Sequence, residues 1–200
     1  MASHLHKGSF GFSFALSITC TISILLISAA AVSAQTFSPT GSMSISNASA
    51  TQLLSGEVLF AGGTDGSGHA SEAAELYNPA TGTFTATGSM VLAQSGPTAT
   101  LLTNGKVLFA GGVDSNDNAT VTAELYDPAT GTFTSTGSMI MPREGHLATL
   151  LCSGKVLITG GIDFTDGPEA EIYDPDTGAF TATGNMVNQP GSQTATLLPN

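Results

Sequence analysis

A fourteen-residue phrase occurs three times along the chain, reading YNPATGTFTATGSM, YDPATGTFTSTGSM and YDPDTGAFTATGNM at residues 77–90, 126–139 and 173–186. A shorter echo, TFSPTGSM, lies at residues 36–43. Each full copy follows an apolar run that ends in Gly-Gly, and the pairs beginning at 62, 111 and 160 recur every 49 residues. Because several markers recur in one order at one period, the chain must fold as repeated units that bury apolar surface against one another.

Each unit predicts four short strands, which we name A to D. Strand A reads ATQLL, TATLL or LATLL, and strand D reads GTFTAT, GTFTST or GAFTAT, so alternation and β-branched residues favour strand in both. Strand B is the apolar run VLFAGG or VLITGG, which is typical of a strand buried on both faces. Strand C is AELY or AEIY, and Gly-containing tight turns join A to B. No sustained helical period follows residue 34, so the fold class is all-β with four-stranded antiparallel units.

The repeated phrase itself predicts a turn followed by strand D. Asp127 can cap the turn with its carboxylate, Pro128 presets the φ of the next position, and Gly131 can adopt the left-handed conformation that closes the hairpin. Asn78 replaces the aspartate in the first unit and can make the same side-chain turn. We therefore interpret the phrase as turn chemistry and not as a catalytic motif.

The unit resembles the kelch repeat. The resemblance depends on the period near 50, the apolar run into Gly-Gly, and a Tyr followed seven positions later by an aromatic residue. The aromatic pairs are Tyr77 and Phe84, Tyr126 and Phe133, and Tyr173 and Phe180. Kelch repeats usually have Trp at the second place, where this chain has Phe. The resemblance covers essentially all of residues 35–200 and implies a β-propeller with one unit per blade around a central channel.

Alignment of the units predicts a partial propeller at residues 35–200. It consists of an outer strand of a closing blade at 35–43, three complete blades at 44–90, 91–139 and 140–186, and the first strand of a further blade at 187–200. Three blades are too few to close a ring. We expect either that the sequence is a fragment of a longer reading frame or that a second chain completes the ring. The first alternative is favoured because the sequence stops within a predicted A–B hairpin.

Residues 1–34 predict a signal peptide. A short polar start containing Lys7 precedes a long apolar stretch, and Val32 and Ala34 are the small residues at which a signal peptidase would cut before Gln35. The alternative is an uncleaved membrane anchor, because the stretch is nearly long enough to span a bilayer. The Ser and Thr content favours cleavage, which predicts a secreted or extracytoplasmic protein without stable membrane insertion.

The net negative charge of residues 35–200 limits the kinds of molecule that the protein is expected to bind. All 15 acidic residues follow residue 34, where the chain has only three basic ones, Lys106, Arg143 and Lys155. Such a surface repels phosphate backbones, so we expect no nucleic-acid partner. Cys152 is the one cysteine after residue 34, which excludes an internal disulfide there, and its apolar run, TLLCSGKVLI, predicts a small buried residue.

Several polar residues are candidates for a functional role. Arg143 and His146, in MPREGHLATLL, match the Arg-x-x-His that often precedes kelch strand A, and the resemblance implies that they brace the neighbouring blade. A ligand contact near the channel mouth is the alternative. His69 lies alone in the loop DGSGHAS and is expected to be solvated.

Three glutamates each stand two residues before the repeated Tyr: Glu75, Glu124 and Glu171. Their repetition predicts a structural duty, either strand-end hydrogen bonding or outward exposure.

The loops between strands B and C differ most between units. In DSNDN, residues Asp114, Asn116 and Asn118 alternate as calcium ligands do, but Ala119 and Leu125 stand where a calcium loop needs Gly and Glu, so a plain polar turn is preferred. NAS at 47–49 and NAT at 118–120 are N-glycosylation sequons for a eukaryotic host.

No catalytic, cofactor or metal-binding set can be assembled from these residues, including the Tyr, Cys and His set of galactose-oxidase-like copper enzymes. The missing catalytic groups, the repeated architectural motifs and the predicted signal peptide together favour an exported, non-catalytic kelch-type propeller that binds protein or carbohydrate through its loops, with no cofactor. The alternative is a scaffold within a larger galactose-oxidase-like or other carbohydrate-active propeller enzyme whose site lies in missing sequence.

Overall fold

The computed structural model describes residues 40–161, 170–185 and 195. These residues form three four-stranded sheets. The first contains β1 (Ser49–Gln52), β2 (Val58–Ala61), β3 (Ala74–Asn78) and β4 (Thr83–Ala86). The second contains β5 (Thr98–Leu101), β6 (Val107–Ala110), β7 (Ala123–Asp127) and β8 (Thr132–Ser135). The third contains β9 (Leu147–Leu150), β10 (Val156–Thr159), β11 (Ala170–Asp174) and β12 (Ala179–Ala182).

Every sheet is an antiparallel meander in which each strand pairs with the next along the chain. The prediction of an all-β chain with three four-stranded antiparallel units is confirmed. The predicted signal peptide at 1–34 lies outside the described residues. So do residues 35–39 of the predicted N-terminal outer strand, and residues 187–200 except residue 195.

The sheets lie side by side, and their first strands are adjacent, since β5 contacts both β1 and β9. The meander order therefore places β4, β8 and β12 at the far edges of their sheets. Since antiparallel strands alternate in direction, the loops β2–β3 and β6–β7 and the two loops that join one sheet to the next share one end of the sheets. We name this end the loop face, and the other end, where the β1–β2 and β3–β4 turns and their equivalents lie, the hairpin face.

Two apolar cores fill the spaces between neighbouring sheets. All four residues of β6 are buried: Val107 and Phe109 pack in the core shared with the first sheet, and Leu108 and Ala110 in the core shared with the third. The prediction of a strand buried on both faces is thus confirmed for β6. In β2 and β10, buried and half-buried residues alternate, because in the described structure each outer sheet has one neighbouring sheet.

The repeated aromatic pairs face each other across the last two strands of each sheet, as in the registers Tyr77 with Phe84 and Tyr126 with Phe133. Their ring centroids lie 4.8 Å apart in all three sheets. The Phe133 ring also lies 5.5 Å from that of Phe109 on β6. Tilted contacts at this separation are favourable, which confirms their interpretation as packing rings.

The turn that opens each repeated phrase has the predicted geometry. Asp127 Oδ1 accepts the backbone N–H of Ala129 at 2.9 Å, and Gly131 donates its N–H to the Asp127 carbonyl at 2.8 Å with φ at +67°. Asn78 makes the same side-chain contact with Ala80 at 2.9 Å.

The same phrase also joins neighbouring sheets, through a pair of hydrogen bonds that we name the Thr-Gly clasp. Between the first and second sheets, the hydroxyls of Thr87 and Tyr126 lie 2.9 Å apart, and Gly88 donates its N–H to the Gly131 carbonyl at 3.0 Å.

The second junction repeats the clasp, with Thr136 bonded to Tyr173 and Gly137 to Gly178, both at 2.9 Å. The clasp leaves no room for a side chain, because a Cβ on Gly137 would lie 2.2 Å from the Gly178 carbonyl oxygen. One sequence motif therefore fixes both the hairpin and the spacing between sheets.

Candidate functional site

Isolated antiparallel β-bridges join the described loops of the loop face to one another in an unbroken series. The bridged pairs are Ser46 with Thr64, Thr64 with Ala70, Ser71 with Gln94, Ser95 with Val113, Val113 with Ala119, and Thr120 with Arg143. The β4–β5 loop is bridged to the β2–β3 loop on one side and to the β6–β7 loop on the other, and the β8–β9 loop is bridged to the β6–β7 loop. The loop face is therefore a preformed surface and not a set of independent loops.

The Gly-Gly pairs allow this close approach. Gly112 donates its N–H to the Arg143 carbonyl at 2.8 Å and has φ at +93°, where a side chain is strained. A Cβ at Gly112 would lie 2.5 Å from the carbonyl oxygen of Ser95. Gly63 repeats the arrangement, with its N–H bonded to the Gln94 carbonyl at 2.9 Å. These glycines let the end of one apolar strand contact the loops on both sides of it.

The two variable loops in the described ranges, β2–β3 and β6–β7, carry the same five-residue turn. Asp65 Oδ1 accepts the N–H groups of Ser67 and His69 at 2.8 and 3.1 Å, and these backbone bonds hold the pKa of Asp65 below its usual value. His69 is exposed, as predicted.

In the second sheet, Asp114 Oδ1 accepts the N–H groups of Asn116 and Asn118 at 2.8 and 3.0 Å, which lowers the pKa of Asp114 in the same way. Because Asp114 is engaged in closing the turn, and DGSGH forms the same turn without the alternating pattern, the geometry favours the polar turn over the calcium loop.

The three repeated glutamates bind the backbone of the loop that enters their sheet. Glu124 accepts the N–H groups of Val91 and Leu92 at 2.8 and 2.9 Å. Glu171 does the same for Ile140 and Met141 at 2.6 and 3.3 Å.

Glu75 accepts both the backbone N–H and the hydroxyl of Ser44 in the first sheet. All three carboxylates are buried. Of the two structural duties left open by the sequence, hydrogen bonding is therefore correct and outward exposure is wrong.

Arg143 and His146 are buried at the junction of the second and third sheets. Arg143 Nε lies 3.2 Å from Glu171 Oε1, and its guanidinium donates to the Gly160 carbonyl at 2.6 Å. His146 Nε2 lies 3.1 Å from the Thr98 hydroxyl. These contacts place both side chains in the bracing role that the kelch resemblance implies.

The environment of His146 keeps its imidazole neutral. Only 4% of the residue is exposed, and no hydrogen-bond partner for its Nδ1 lies among the described residues. Burial, assisted by the charge of Arg143, lowers the pKa of His146 from 6.5 to about 4. The imidazole thus acts here as a packed, neutral group.

Gln94 occupies the position of Arg143 one unit earlier and is also buried, with 1% of its surface exposed. Its Nε2 donates to the hydroxyl of Thr122. Its Oε1 has no hydrogen-bond partner in the described part of the chain. Gln94 lines an open cleft of about 310 Å³ on the loop face, whose other walls are residues 92–93, 114–116, 120 and 122. Sequence reasoning missed this cleft, although the alignment of Gln94 with Arg143 was available as a signal.

The hairpin face carries two ion pairs, Lys106 with Asp127 at 3.1 Å and Lys155 with Asp174 at 2.8 Å. A second cleft of about 290 Å³ lies beside the first pair. Together with Arg143, these pairs show that each basic residue in the described ranges contacts an acidic one. The predicted burial of Cys152 is wrong, because Cys152 is exposed in the β9–β10 turn.

No family model matches the chain, and no curated protein sequence does. Among solved structures, it is similar to a fungal alcohol oxidase of the AA5 family in complex with copper, with a TM-score of 0.57 and 19% identity over 73% of this chain. It is also similar to YjhT, with a TM-score of 0.58 and 16% identity over 74% of this chain. The fold is a kelch-like β-propeller. Each sheet is one blade, and the chain spans only 32% and 54% of the length of these two proteins.

The described residues of this propeller do not fit a copper ion. No three His, Cys, Asp or Glu side chains come together at described positions. The hydroxyls of Tyr126 and Tyr173 bond to threonines between blades, and Cys152 lies on the hairpin face, away from the buried His146. The two tyrosines and His146 contact neighbouring blades, Cys152 is exposed, and the four side chains are not arranged around a common centre.

Proposed function

We propose that the chain is an exported, non-catalytic propeller scaffold whose loop face binds a protein or a carbohydrate. One observation carries the proposal: the repeated polar groups are used between and within blades, whereas the residues that vary lie in exposed turns at 65–69 and 114–118 of one face. A rigid scaffold that presents variable turns is the common arrangement of binding proteins.

A loop exchange tests this proposal. DSNDN at 114–118 would be replaced by DGSGH, which forms the same turn in the first blade. The exchange should leave the far-UV circular dichroism and urea midpoint unchanged, and should alter the ligands retained in a glycan array and a pull-down from extracellular fluid. As a matched control, SGK at 153–155 on the hairpin face would be replaced by NGK. Blank screens for the parent protein would refute the proposal.

Export is a separate part of the proposal, supported by the sequence of residues 1–34. In the described ranges, no helix has the length and hydropathy needed to cross a bilayer. Mass spectrometry of the exported protein should give an N-terminus at Gln35. Recovery of an intact Met1 from the membrane fraction would instead support the uncleaved anchor.

We further propose that additional blades, from a longer chain or from a second chain, complete the ring. The identical clasps at both described junctions support this, because the same contacts can join further blades of the same type. Mass photometry of the purified chain should show a single-chain mass if a longer reading frame supplies these blades, and a defined oligomer if a second chain does.

A second candidate is a scaffold within a propeller enzyme. It is favoured by the fold shared with the alcohol oxidase, of which this chain covers 32%. Reading the gene on both sides of the present sequence and assaying the whole product for alcohol oxidation would test it. Plain kelch-like blades and no activity would eliminate this candidate.

A further inference from the structure

Each Thr-Gly clasp has a donating half, a Thr and a Gly at the end of one blade, and an accepting half, a Tyr and a Gly of the next blade. At the two described junctions the donating residues are half-buried: Thr87, Gly88, Thr136 and Gly137. The third blade ends in a further donating half, Thr183 and Gly184, and both of these residues are exposed. Among the described residues, nothing lies within 4 Å of the position that a Cβ on Gly184 would take. The third blade therefore presents a donating half with room for another blade.

The accepting half of the first blade is filled by residues 40–43, which we name the strap. Gly41 donates its N–H to the Gly82 carbonyl at 2.9 Å, which is the glycine bond of the clasp. The strap is held at its end by Ser44, whose N–H and hydroxyl both donate to Glu75. It thus takes the position that the end of a preceding blade takes at the other two junctions.

The strap makes only part of a clasp. Thr40 stands where Thr87 and Thr136 bond to a tyrosine, but in the described structure its hydroxyl donates to the Gly41 carbonyl at 3.4 Å and not to Tyr77. A tethered segment competes at an effective concentration on the order of millimolar, which is well above micromolar protein. The strap can therefore exclude a second molecule although it lacks one bond of the clasp.

The outer faces of the first and third blades match the faces that already pack within the chain. In the second blade, alternate residues of β6 pack against the first and the third blade. In the outer blades, the residues of the central strands that face away from the second blade are half-buried: Val58 and Phe60 on β2, and Leu157 and Thr159 on β10. The third blade of one molecule and the first blade of another therefore carry the two sides of one head-to-tail interface.

We propose that the strap is an autoinhibitory contact that prevents this head-to-tail self-association. While Gly41 is bonded to the Gly82 carbonyl, Thr183 and Gly184 of a second copy have no open accepting half to bind. The inference rests on the proposal that further blades complete the ring. It favours a longer reading frame over a second chain as their source, because the strap blocks a second copy from using this clasp.

Sedimentation velocity of the purified protein over a range of micromolar concentrations tests the proposal. The parent should remain a single chain. Gly41→Pro removes the N–H that bonds to Gly82, at an exposed position, and should raise the self-association constant about tenfold or more. Gly184→Pro removes the equivalent N–H of the donating half, so the Gly41→Pro/Gly184→Pro double variant should return to the mass of a single chain.

Tyr77→Phe tests whether the released molecules use the clasp. In the single chain the Tyr77 hydroxyl takes no part in a clasp bond, so this change should leave the urea midpoint nearly unaltered. In the Gly41→Pro background it should weaken association about fivefold, because a hydrogen bond to Thr183 of the second copy is lost.

The outcomes separate the strap from ring completion. A Gly41→Pro variant that stays a single chain at every concentration would overturn the proposal, as would a parent that already self-associates. Association that persists in the double variant would place the contact elsewhere and overturn it too. Circular dichroism equal to that of the parent excludes unfolding as the cause of association, and Gly41→Val, whose Cβ would lie 3.3 Å from the Gly82 carbonyl oxygen, replaces Gly41→Pro if the latter does not fold.

Ring completion is decided separately, by reading the gene on both sides of the present sequence. Further blades in frame would support it even if the strap proposal fails. A gene without them, together with a Gly41→Pro variant that stays a single chain, would overturn both.

Discussion

The buried His146 predicts a loss of stability in a defined pH range. In the folded protein the pKa of His146 is about 4, and in the unfolded chain it returns to about 6.5. The unfolded state therefore binds a proton at a higher pH than the folded state does. The stabilisation is complete above about pH 6.5 and is lost as the pH falls toward 4.

The size of the effect follows from the shift. Each pKa unit corresponds to about 1.4 kcal/mol, so the free energy of unfolding should fall by about 2 kcal/mol between pH 7 and pH 5 and by about 3 kcal/mol over the whole range. The aspartates whose pKa values are depressed lose their contribution to stability only at lower pH. The change in the free energy of unfolding between pH 7 and pH 5 is therefore assigned to His146.

Urea unfolding followed by far-UV circular dichroism measures this change, since the chain has no Trp. With a urea dependence of about 2 kcal/mol per molar, the midpoint should fall by about 1 M from pH 7 to pH 5. His146→Gln should remove most of this pH dependence while keeping a side chain that can bond to Thr98. An imidazole NMR titration of His146 with a midpoint above 6, or equal pH slopes in the two proteins, would show that the reasoning is wrong.

Three further tests, each measured by urea unfolding at pH 7, address the contacts that join blades and the contacts that hold the loops entering them. Tyr126→Phe should cost about 1 kcal/mol, and in a double-mutant cycle with Thr87→Val the two changes should be non-additive, because the hydroxyls bond to each other; full additivity would contradict the clasp. Glu124→Gln should cost about 2 kcal/mol, because one N–H of the entering loop would face an amide N–H₂, whereas the exposed Glu72→Gln should change stability by less than about 0.5 kcal/mol. Gly112→Ala should destabilise several-fold more than Gly68→Ala, since both have positive φ but only Gly112 lies against a neighbouring backbone; similar costs would show that close approach is not the constraint.

The strands and turns could be predicted from the sequence because they depend on local signals. Asp127 and Gly131 determine a hairpin through residues within four positions, and the pairing of Tyr126 with Phe133 follows from that hairpin. Because the unit recurs three times at a nearly constant period, the same hairpin is predicted in each blade.

The contacts that join blades and anchor the loops entering them could not be predicted in the same way. The partners of Glu124 are N–H groups more than thirty positions away, and the sequence does not show which side of strand C faces the entering loop. The error at Cys152 has a related origin, because the apolar run continues two residues past the end of the half-buried strand β9 at Leu150. Alignment with Thr103, which is exposed at the same place in the second blade, would have corrected it.

The Thr-Gly clasp has a consequence for how such a chain can grow. Residues 126–139 contain both the accepting half of one clasp, at Tyr126 and Gly131, and the donating half of the next, at Thr136 and Gly137. A tandem duplication of one unit therefore supplies a new blade and a compatible junction on each side in a single genetic event. No intermediate needs a newly evolved contact, so blade number in such a lineage can change by copying alone.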